Sequence, residues 1–199
     1  KMSVSGALFD PVKLIDVSKN RVCRLSSTQM YALVTDWAKE FDKEFYEILT
    51  RNPDYTKAVF AIDRDVPKPR KDIAKWNEVK EYFSYMFDEL YSPDFTLPEN
   101  ISKEDAGAFL YEYKSVYSDT DDKQTWFNKI KEIAPKLQFA SETKEYKANP
   151  EKYKGHAGDL STVLRIAITG RRNTPDLCSI MQVLGKNKCI ERIENAVRG

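Results

Sequence analysis

Apolar positions recur at helical spacing along almost the whole of this 199-residue chain. Ser26-Ser27-Thr28-Gln29 has the form of a capping box, in which Ser26 caps and Gln29 reaches back, with Leu25 and Met30 as the hydrophobic staple. Met30, Leu33, Val34, Trp37 and Phe41 follow at the intervals of one helix face. A second helix is expected over 42–50, and a third from Pro53-Asp54 through Ala58, Val59 and Ile62. Residues 63–72, DRDVPKPRKD, break the pattern, because Pro67 and Pro69 exclude a regular helix. Asp72 reads as the cap of a long helix with the stripe Ile73, Trp76, Val79, Phe83, Phe87 and Leu90, whose aromatic members belong to a core.

Residues 92–100, SPDFTLPEN, carry two prolines and little periodicity, which marks a domain boundary. The expected organisation is a junction segment over 1–25, a first helical subdomain over 26–95 and a second over 96–199. Ser102 and Asp105 read as another capping box, ahead of Phe109, Tyr113 and Tyr117 on one face. Asp121-Asp122 places acid at the next helix start, and Trp126, Ile130, Ile133 and Leu137 continue it. Residues 141–157 are polar, basic and tyrosine-bearing. From Gly158 onward Leu160, Val163, Leu164, Ala167 and Ile168 form a stripe, and Arg165 lies off it, able to face outward. Gly170 ends that helix. Thr174 fits N-cap and Pro175 fits N1 of the next, which runs through Ile180, Met181 and Leu184 to Gly185. Ile190, Ile193 and Val197 drive the last helix. Sustained β alternation and internal repeats are missing, so the expected fold class is all-α.

Charge changes the picture through its distribution. The net charge is +1, from 32 Lys/Arg against 31 Asp/Glu, so bulk electrostatics does not announce a nucleic-acid binder. Residues 57–80 nevertheless hold seven Lys/Arg against four Asp/Glu, residues 88–140 six against eleven, and residues 141–199 eleven against seven. This basic–acidic–basic layout gives local phosphate-seeking surfaces, or merely solvated helix faces. The three cysteines, Cys23, Cys178 and Cys189, have no CxxC spacing, which suits a reducing cytoplasm. With His156 as the sole histidine, no familiar zinc spacing exists. No apolar run approaches the ~20 residues of a membrane span. No secretory signal is visible, and the opening Lys1-Met2-Ser3 has the look of a cut fragment.

Two stretches carry candidate chemistry. Arg171-Arg172-Asn173-Thr174-Pro175 joins basic side chains to a helix start, whose N–H groups and Thr174 hydroxyl suit unpaired RNA bases; the same residues also make an ordinary helix start. Tyr146, Lys147, Lys152, Tyr153 and Lys154 interleave aromatics with lysines, as an RNA-backbone contact or as a solvated connecting loop.

Several phrases, in this order and spacing, resemble the bacterial glutamyl-tRNA synthetases, class I enzymes, and most closely their clostridial, Gram-positive branch. They are SGALFDPVKLIDVS (5–18), PRKDIAKW (69–76), LRIAITGRRNTPDL (164–177) and LGKNKCIERIENAV (184–197), and the match covers nearly the whole chain. The resemblance implies two all-α subdomains of the anticodon-binding type, from the C-terminal half of a glutamate–tRNA ligase. The parent enzyme would join L-glutamate to tRNA with ATP and magnesium, through a glutamyl-adenylate. This portion would bind tRNA(Glu) as a cytoplasmic monomer, with no membrane role, cofactor, metal or catalytic residue of its own. No HIGH tetrapeptide is present, His156 sits in GHAG, and Lys1-Met2-Ser3-Val4-Ser5 departs from KMSKS at Val4.

By the same resemblance Arg165, Thr174, Pro175 and Leu177 would contact anticodon bases, Leu177 alternatively serving as core. Arg70 would read the first anticodon base and favour glutamate over glutamine tRNA. Arg64, Lys68 or Lys71 could hold that role instead, or the residue concerned could meet a phosphate. Lys68, Lys71, Lys147, Lys152, Lys154, Arg171 and Arg172 are the candidates for the tRNA backbone. The rival reading is an α-helical protein-interaction module with no RNA role. A phosphate-tracking surface loses affinity steeply with salt and a protein-docking face does not.

Overall fold

A computed structural model describes residues 10–64 and 66–198. The KMSVS phrase and residues 5–9 of the junction segment therefore lie outside the described residues. Among those described the fold is all-α, with one isolated bridge between Ala140 and His156 and no strand. No helix is long and apolar enough to cross a membrane. The chain forms two compact units, Lys1–Phe83 and Ser84–Gly199. The division falls inside the apolar stripe that runs from Ile73 to Leu90, ahead of residues 92–100.

The first unit begins with α1 (Pro11–Val22), capped by Asp10, whose Oδ1 accepts from the N–H groups of Val12 and Lys13 at 3.0 and 3.2 Å. The Ser26 capping box forms as expected: Ser26 N–H donates to Gln29 Oε1 at 3.0 Å and Gln29 N–H donates to Ser26 Oγ at 3.2 Å. It starts α2 (Ser27–Phe41), with Leu25 and Met30 both buried. The buried seam of α2 is Met30, Val34 and Ala38, an i, i+4, i+8 row facing α3 (Lys43–Arg51) and α4 (Pro53–Ala61). Leu33 and Phe41, which share the helical spacing, stay 41% and 64% exposed because they lie beside that row. Asp42 and Asn52 cap α3 and α4 at Phe45 N–H and Tyr55 N–H.

The long helix expected after Asp72 does not form. Helix α5 is five residues, Glu78–Tyr82. Asp72 accepts the Arg70 Nε–H and the Tyr82 hydroxyl, both at 2.6 Å, and caps nothing. Glu78 instead takes the N–H groups of Ala74 and Lys75, at 2.7 and 3.2 Å, and holds residues 73–77 in turns. Ile73, Val79 and Phe83 are buried as the stripe predicted, although Trp76 is half-buried.

The second unit opens with a 3-10 turn, Ser84–Met86. Helices α6 (Lys103–Val116), α7 (Lys123–Ile133), α9 (Ala157–Thr169) and α11 (Lys186–Arg198) pack together; α8 (Thr143–Ala148) and α10 (Leu177–Leu184) complete the unit. Ser102 caps α6 at Asp105 N–H, 3.0 Å, but the box is half-made, because the Asp105 carboxylate pairs with Lys154 at 2.7 Å. Asp122 caps α7 at Thr125 N–H, 2.7 Å. The polar stretch 141–157 holds α8 and a 3-10 turn, Pro150–Lys152. His156 caps α9 through Nδ1, which accepts Gly158 N–H at 3.0 Å, while Asp159 accepts His156 N–H at 2.8 Å. Phe109, Tyr113, Ile130, Leu160, Leu164, Ile168, Ile180 and Met181 are fully buried.

Gly170 ends α9 at φ +67°, in the left-handed region. A Cβ there would also lie 2.6 Å from Pro93 Cα and 2.8 Å from Asp94 N. Handedness and backbone proximity both demand glycine at this one position. Gly170→Ala is expected to destabilise the second unit by more than ~2 kcal/mol, from left-handed strain plus displaced backbone. Urea denaturation checks this; a loss below ~1 kcal/mol would show that the 93–94 segment can move away.

Candidate nucleic-acid interface

Everything in the 170–176 turn follows from how α9 stops and α10 starts. Gly170 turns the chain back. The α10 cap is Asp176, not Thr174: Asp176 Oδ1 accepts Ser179 N–H at 2.8 Å and the Ser179 hydroxyl at 2.7 Å. Leu177 is then the first helical residue, and Pro175 precedes the helix. The local Thr-Pro signal is displaced because Thr174 has another partner.

That partner is Arg165. Its Nη1 donates to the Thr174 hydroxyl, to Pro175 O at 2.8 Å and to Thr174 O at 3.4 Å. Thr174 Oγ1 in turn donates to Pro175 O at 2.9 Å. Arg165 does lie off the apolar stripe, but it is half-buried and folds onto the turn rather than facing outward. The convergence expected of Arg165 and Thr174 is present. Thr174 is 6% exposed, Pro175 is buried, and Leu177 is 2% exposed and lies in the core. These groups shape the turn, and its exposed residues are Arg172 and Asn173.

Both turn arginines are anchored at one end. Arg171 Nη2 donates to Ser84 Oγ at 3.0 Å, and its guanidinium lies 5.5 Å from the Tyr85 ring centroid. Arg172 Nη2 donates to Leu97 O at 2.6 Å. Each guanidinium is thereby held in place, so the turn presents fixed cations, which is what phosphate positioning requires.

In the first unit Arg70 is held by Asp72, with its side chain still 37% exposed. Burial acts to raise the Asp72 carboxyl, but hydrogen bonds from Tyr82 and Arg70 outweigh it and hold its pKa below the usual value. Burial and the Asp72 bond together push the Tyr82 phenol well up, so it stays a neutral donor. Arg70 is thus a pre-oriented exposed cation. Arg64 is placed differently: its Nε donates to Phe60 O at 2.7 Å, and its Nη1 to Val22 O and Leu25 O at 2.8 and 3.2 Å. Lys68 and Lys71 are exposed.

Lys147 lies exposed on α8. Lys152 sits 4.9 Å from the Tyr153 ring centroid, and the Tyr153 hydroxyl donates to Glu145. Lys154 pairs with Asp105. Tyr146 meets His156 edge to face, at 5.6 Å. Acidic neighbours therefore temper this stretch, and it converges less than the 170–176 turn.

Sequence reasoning missed Asp176 and Arg192. Asp176 stands in Thr-Pro-Asp-Leu with Ser179 three residues on, the N-cap spacing, so a local signal existed. Arg192, 2% exposed, had none: its partners Tyr85 O and Ile168 O, at 2.7 and 2.8 Å, are remote in sequence.

Arg165→Ala is expected to cost about 1.5–3 kcal/mol, the range for hydrogen bonds to a charged group, with Arg165→Lys recovering part of it. Arg165 was expected to face outward, and its bonds to Thr174 and Pro175 instead give it a part in folding. An unchanged urea midpoint would restore the outward reading. Asp176 yields a pH prediction. Burial acts to raise its carboxyl, but the Ser179 bonds and the Lys123 charge outweigh this and lower its pKa. A lowered folded pKa gives stability that is present above the unfolded value of ~3.9 and lost as pH falls through the folded one. Asp176→Ala should cost ~1 kcal/mol at neutral pH. Its gap from the parent should close below pH ~4, and a gap independent of pH would show that the carboxylate charge plays no part.

Comparison with known proteins gives this geometry its context. The anticodon binding domain family matches residues 29–197. The glutamate–tRNA ligase of Clostridium perfringens (strain 13 / Type A) is 48% identical over 197 residues, covering 97% of this chain and 36% of the ligase. That of Clostridium beijerinckii is 43% identical over 199 residues, covering 98% of this chain and 36% of the ligase. That of Sorangium cellulosum is 41% identical over 195 residues, covering 97% and 34%. The chain thus spans about a third of the length of these relatives. With the family matched across both units, this chain belongs to the anticodon binding domains, similar to those of bacterial glutamate–tRNA ligases.

Proposed function

We propose that this chain is the anticodon-recognising part of a glutamate–tRNA ligase and that it binds tRNA without performing chemistry. The observation that carries the reading is the 170–176 turn. Arg172 and Asn173 are exposed there on a backbone held by Gly170, Arg165 and Asp176. Recognition of splayed, unpaired bases needs donors at fixed positions on rigid ends, surrounded by positive charge. Arg165, Thr174, Pro175 and Leu177 act in this reading by fixing the turn, and Arg171 and Arg172 hold the backbone beside the bases. Activation of glutamate with ATP and magnesium belongs to the remainder of a longer ligase.

Arg70 supplies discrimination. Glutamate and glutamine codons differ in their first letter, which pairs with the third anticodon base. A residue that tells the two tRNAs apart therefore reads the third base, and Arg70 is assigned to it in place of the first. The Asp72–Tyr82 pair holds its guanidinium ready. Binding of the 199-residue chain to glutamate tRNA, glutamine tRNA and a tRNA of unrelated anticodon, over a salt series, tests the whole reading. The expected result is steep salt dependence, preference for glutamate tRNA, and a gap to glutamine tRNA that narrows in Arg70→Gln by roughly 1–3 kcal/mol, the size of a good arginine–base contact. Equal affinity for all three would overturn anticodon reading, and an unchanged gap would remove Arg70 from it.

A further inference from the structure

Two apolar hollows adjoin along the seam between α6 and α11 in the second unit. One, of about 110 Å³, lies beside Gly107 and is walled by Phe95, Leu97, Leu110 and Val197 among others. The other, of about 200 Å³, shares Leu110 and Val197 and adds Tyr111. Tyr111 is 68% exposed and Val197 48%, so the seam carries apolar surface that nothing in the unit covers.

Gly107 is out of place by every internal criterion. It sits inside α6, where glycine is the least favourable residue after proline. Its φ is not positive, and a Cβ there would meet nothing within 4 Å. Neither handedness nor crowding within the chain therefore calls for glycine. What the missing side chain leaves is a hole beside an apolar hollow.

The matching knob stands one turn along the same helix. Glu104, Gly107, Tyr111 and Lys114 follow at i, i+3, i+7 and i+10, the spacing of a helix face that packs on another helix. This face is complementary to itself. In an antiparallel pair of α6 helices, a twofold axis between Gly107 and Tyr111 lays each tyrosine over the other copy's glycine. The same axis brings Glu104 opposite Lys114. Glu104 is exposed and meets no cation among the described residues, and Lys114 is half-buried beside Glu194 at 3.1 Å. A parallel pair in register would instead set like charges together. One operation thus supplies two knobs in two holes and two opposite-charge pairs, the condition for an isologous contact.

We propose that this face of α6 joins two copies of the chain in a dimer, with the Tyr111 ring of each seated in the apolar hollow beside Gly107 of the other. Ala108, small and exposed, lets the two helices approach closely. An aromatic ring in an apolar pocket is the kind of contact that dominates an interface, and the charge pairs at its edge fix the antiparallel register. The inference is independent of the tRNA reading and replaces the monomer that the family resemblance implies.

Sedimentation velocity of the 199-residue chain without RNA, from low micromolar to submillimolar concentration, tests it. The parent should pass from monomer to dimer over this range. Tyr111→Ala should weaken the dimer roughly tenfold or more, the loss that follows removal of a central aromatic. Gly107→Leu fills the hole and should abolish the dimer while the urea midpoint holds or rises, because leucine is the better helix former. Damage to the fold would lower both. Glu104→Lys and Lys114→Glu should each stay monomeric alone, and an equimolar mixture of the two should form a heterodimer, because both charge pairs are then restored across the axis. A parent that stays monomeric throughout overturns the proposal. So does a dimer that Tyr111→Ala and Gly107→Leu leave unchanged, and so does a mixture no more associated than its components.

Discussion

In the second unit the interaction on which the rest depends is the buried guanidinium of Arg192. A charge at 2% exposure needs acceptors and an opposite charge inside the fold. Arg192 Nη1 donates to Tyr85 O at 2.7 Å and to Ile168 O at 2.8 Å, and its guanidinium carbon lies 3.7 Å from the Tyr91 ring centroid; Nη2 makes no hydrogen bond among the described residues and faces the Asp88 carboxylate at 3.7 Å. One side chain of α11 thereby ties the Ser84–Met86 turn to the last turn of α9. Ile168 O is among the carbonyls that a helix end leaves without an intrahelical partner, and Arg192 supplies the donor from outside. Two residues later Gly170 turns the chain. The direction of the Arg171–Arg172 turn is therefore set from behind, by a residue that takes no part in the surface.

The turn is then fixed from its other side. Arg165 reaches over from α9 to the carbonyls of Thr174 and Pro175, and Asp176 starts α10 immediately after them. Between these clamps Arg171 is drawn to Ser84 and Arg172 to Leu97 O. Placing two arginines just past the C-terminus of α9 is favourable in itself, because the negative end of a helix attracts cations. The same arrangement that satisfies the helix end gathers positive charge at one rigid place, and the candidate surface grows out of a capping problem.

What could be read from the sequence, and what could not, divides along the same line. Local devices were legible: the Ser26–Gln29 box, the caps at Ser102 and Asp122, the stop at Gly170 and the apolar stripe of α9 all involve groups within a turn of one another. Asp72 and Thr174 failed as caps because each met a partner that local spacing does not reveal. For Asp72 it was Tyr82, ten residues on, together with Arg70; for Thr174 it was Arg165, nine residues back. Arg192 and its carbonyls, 107 and 24 residues away, were beyond any pattern. At the candidate site, the convergence of Arg165 with Thr174 was legible. Which of them face solvent was not, because Leu177 and Thr174 are hidden by a helix start displaced two residues along the chain.

Arginine's geometry explains why so few of these cations serve a single purpose. Its planar fork can satisfy two acceptors while staying charged, which an ammonium on a flexible stem does less well. Arg64, Arg165 and Arg192 point inward: Arg64 and Arg192 join backbone carbonyls of separate segments, and Arg165 ties α9 to the carbonyls of the 174–175 turn. Arg172 uses one Nη inward and remains exposed, as Arg70 uses its Nε. Within each unit an inward arginine holds backbone on which an outward cation stands: Arg64 bonds the carbonyls of Val22 and Leu25 on either side of Arg24, and Arg165 bonds those of Thr174 and Pro175 just after Arg172. A chain of net charge +1 can therefore bind a polyanion without being basic overall, because recognition depends on where the cations are held and not on how many there are.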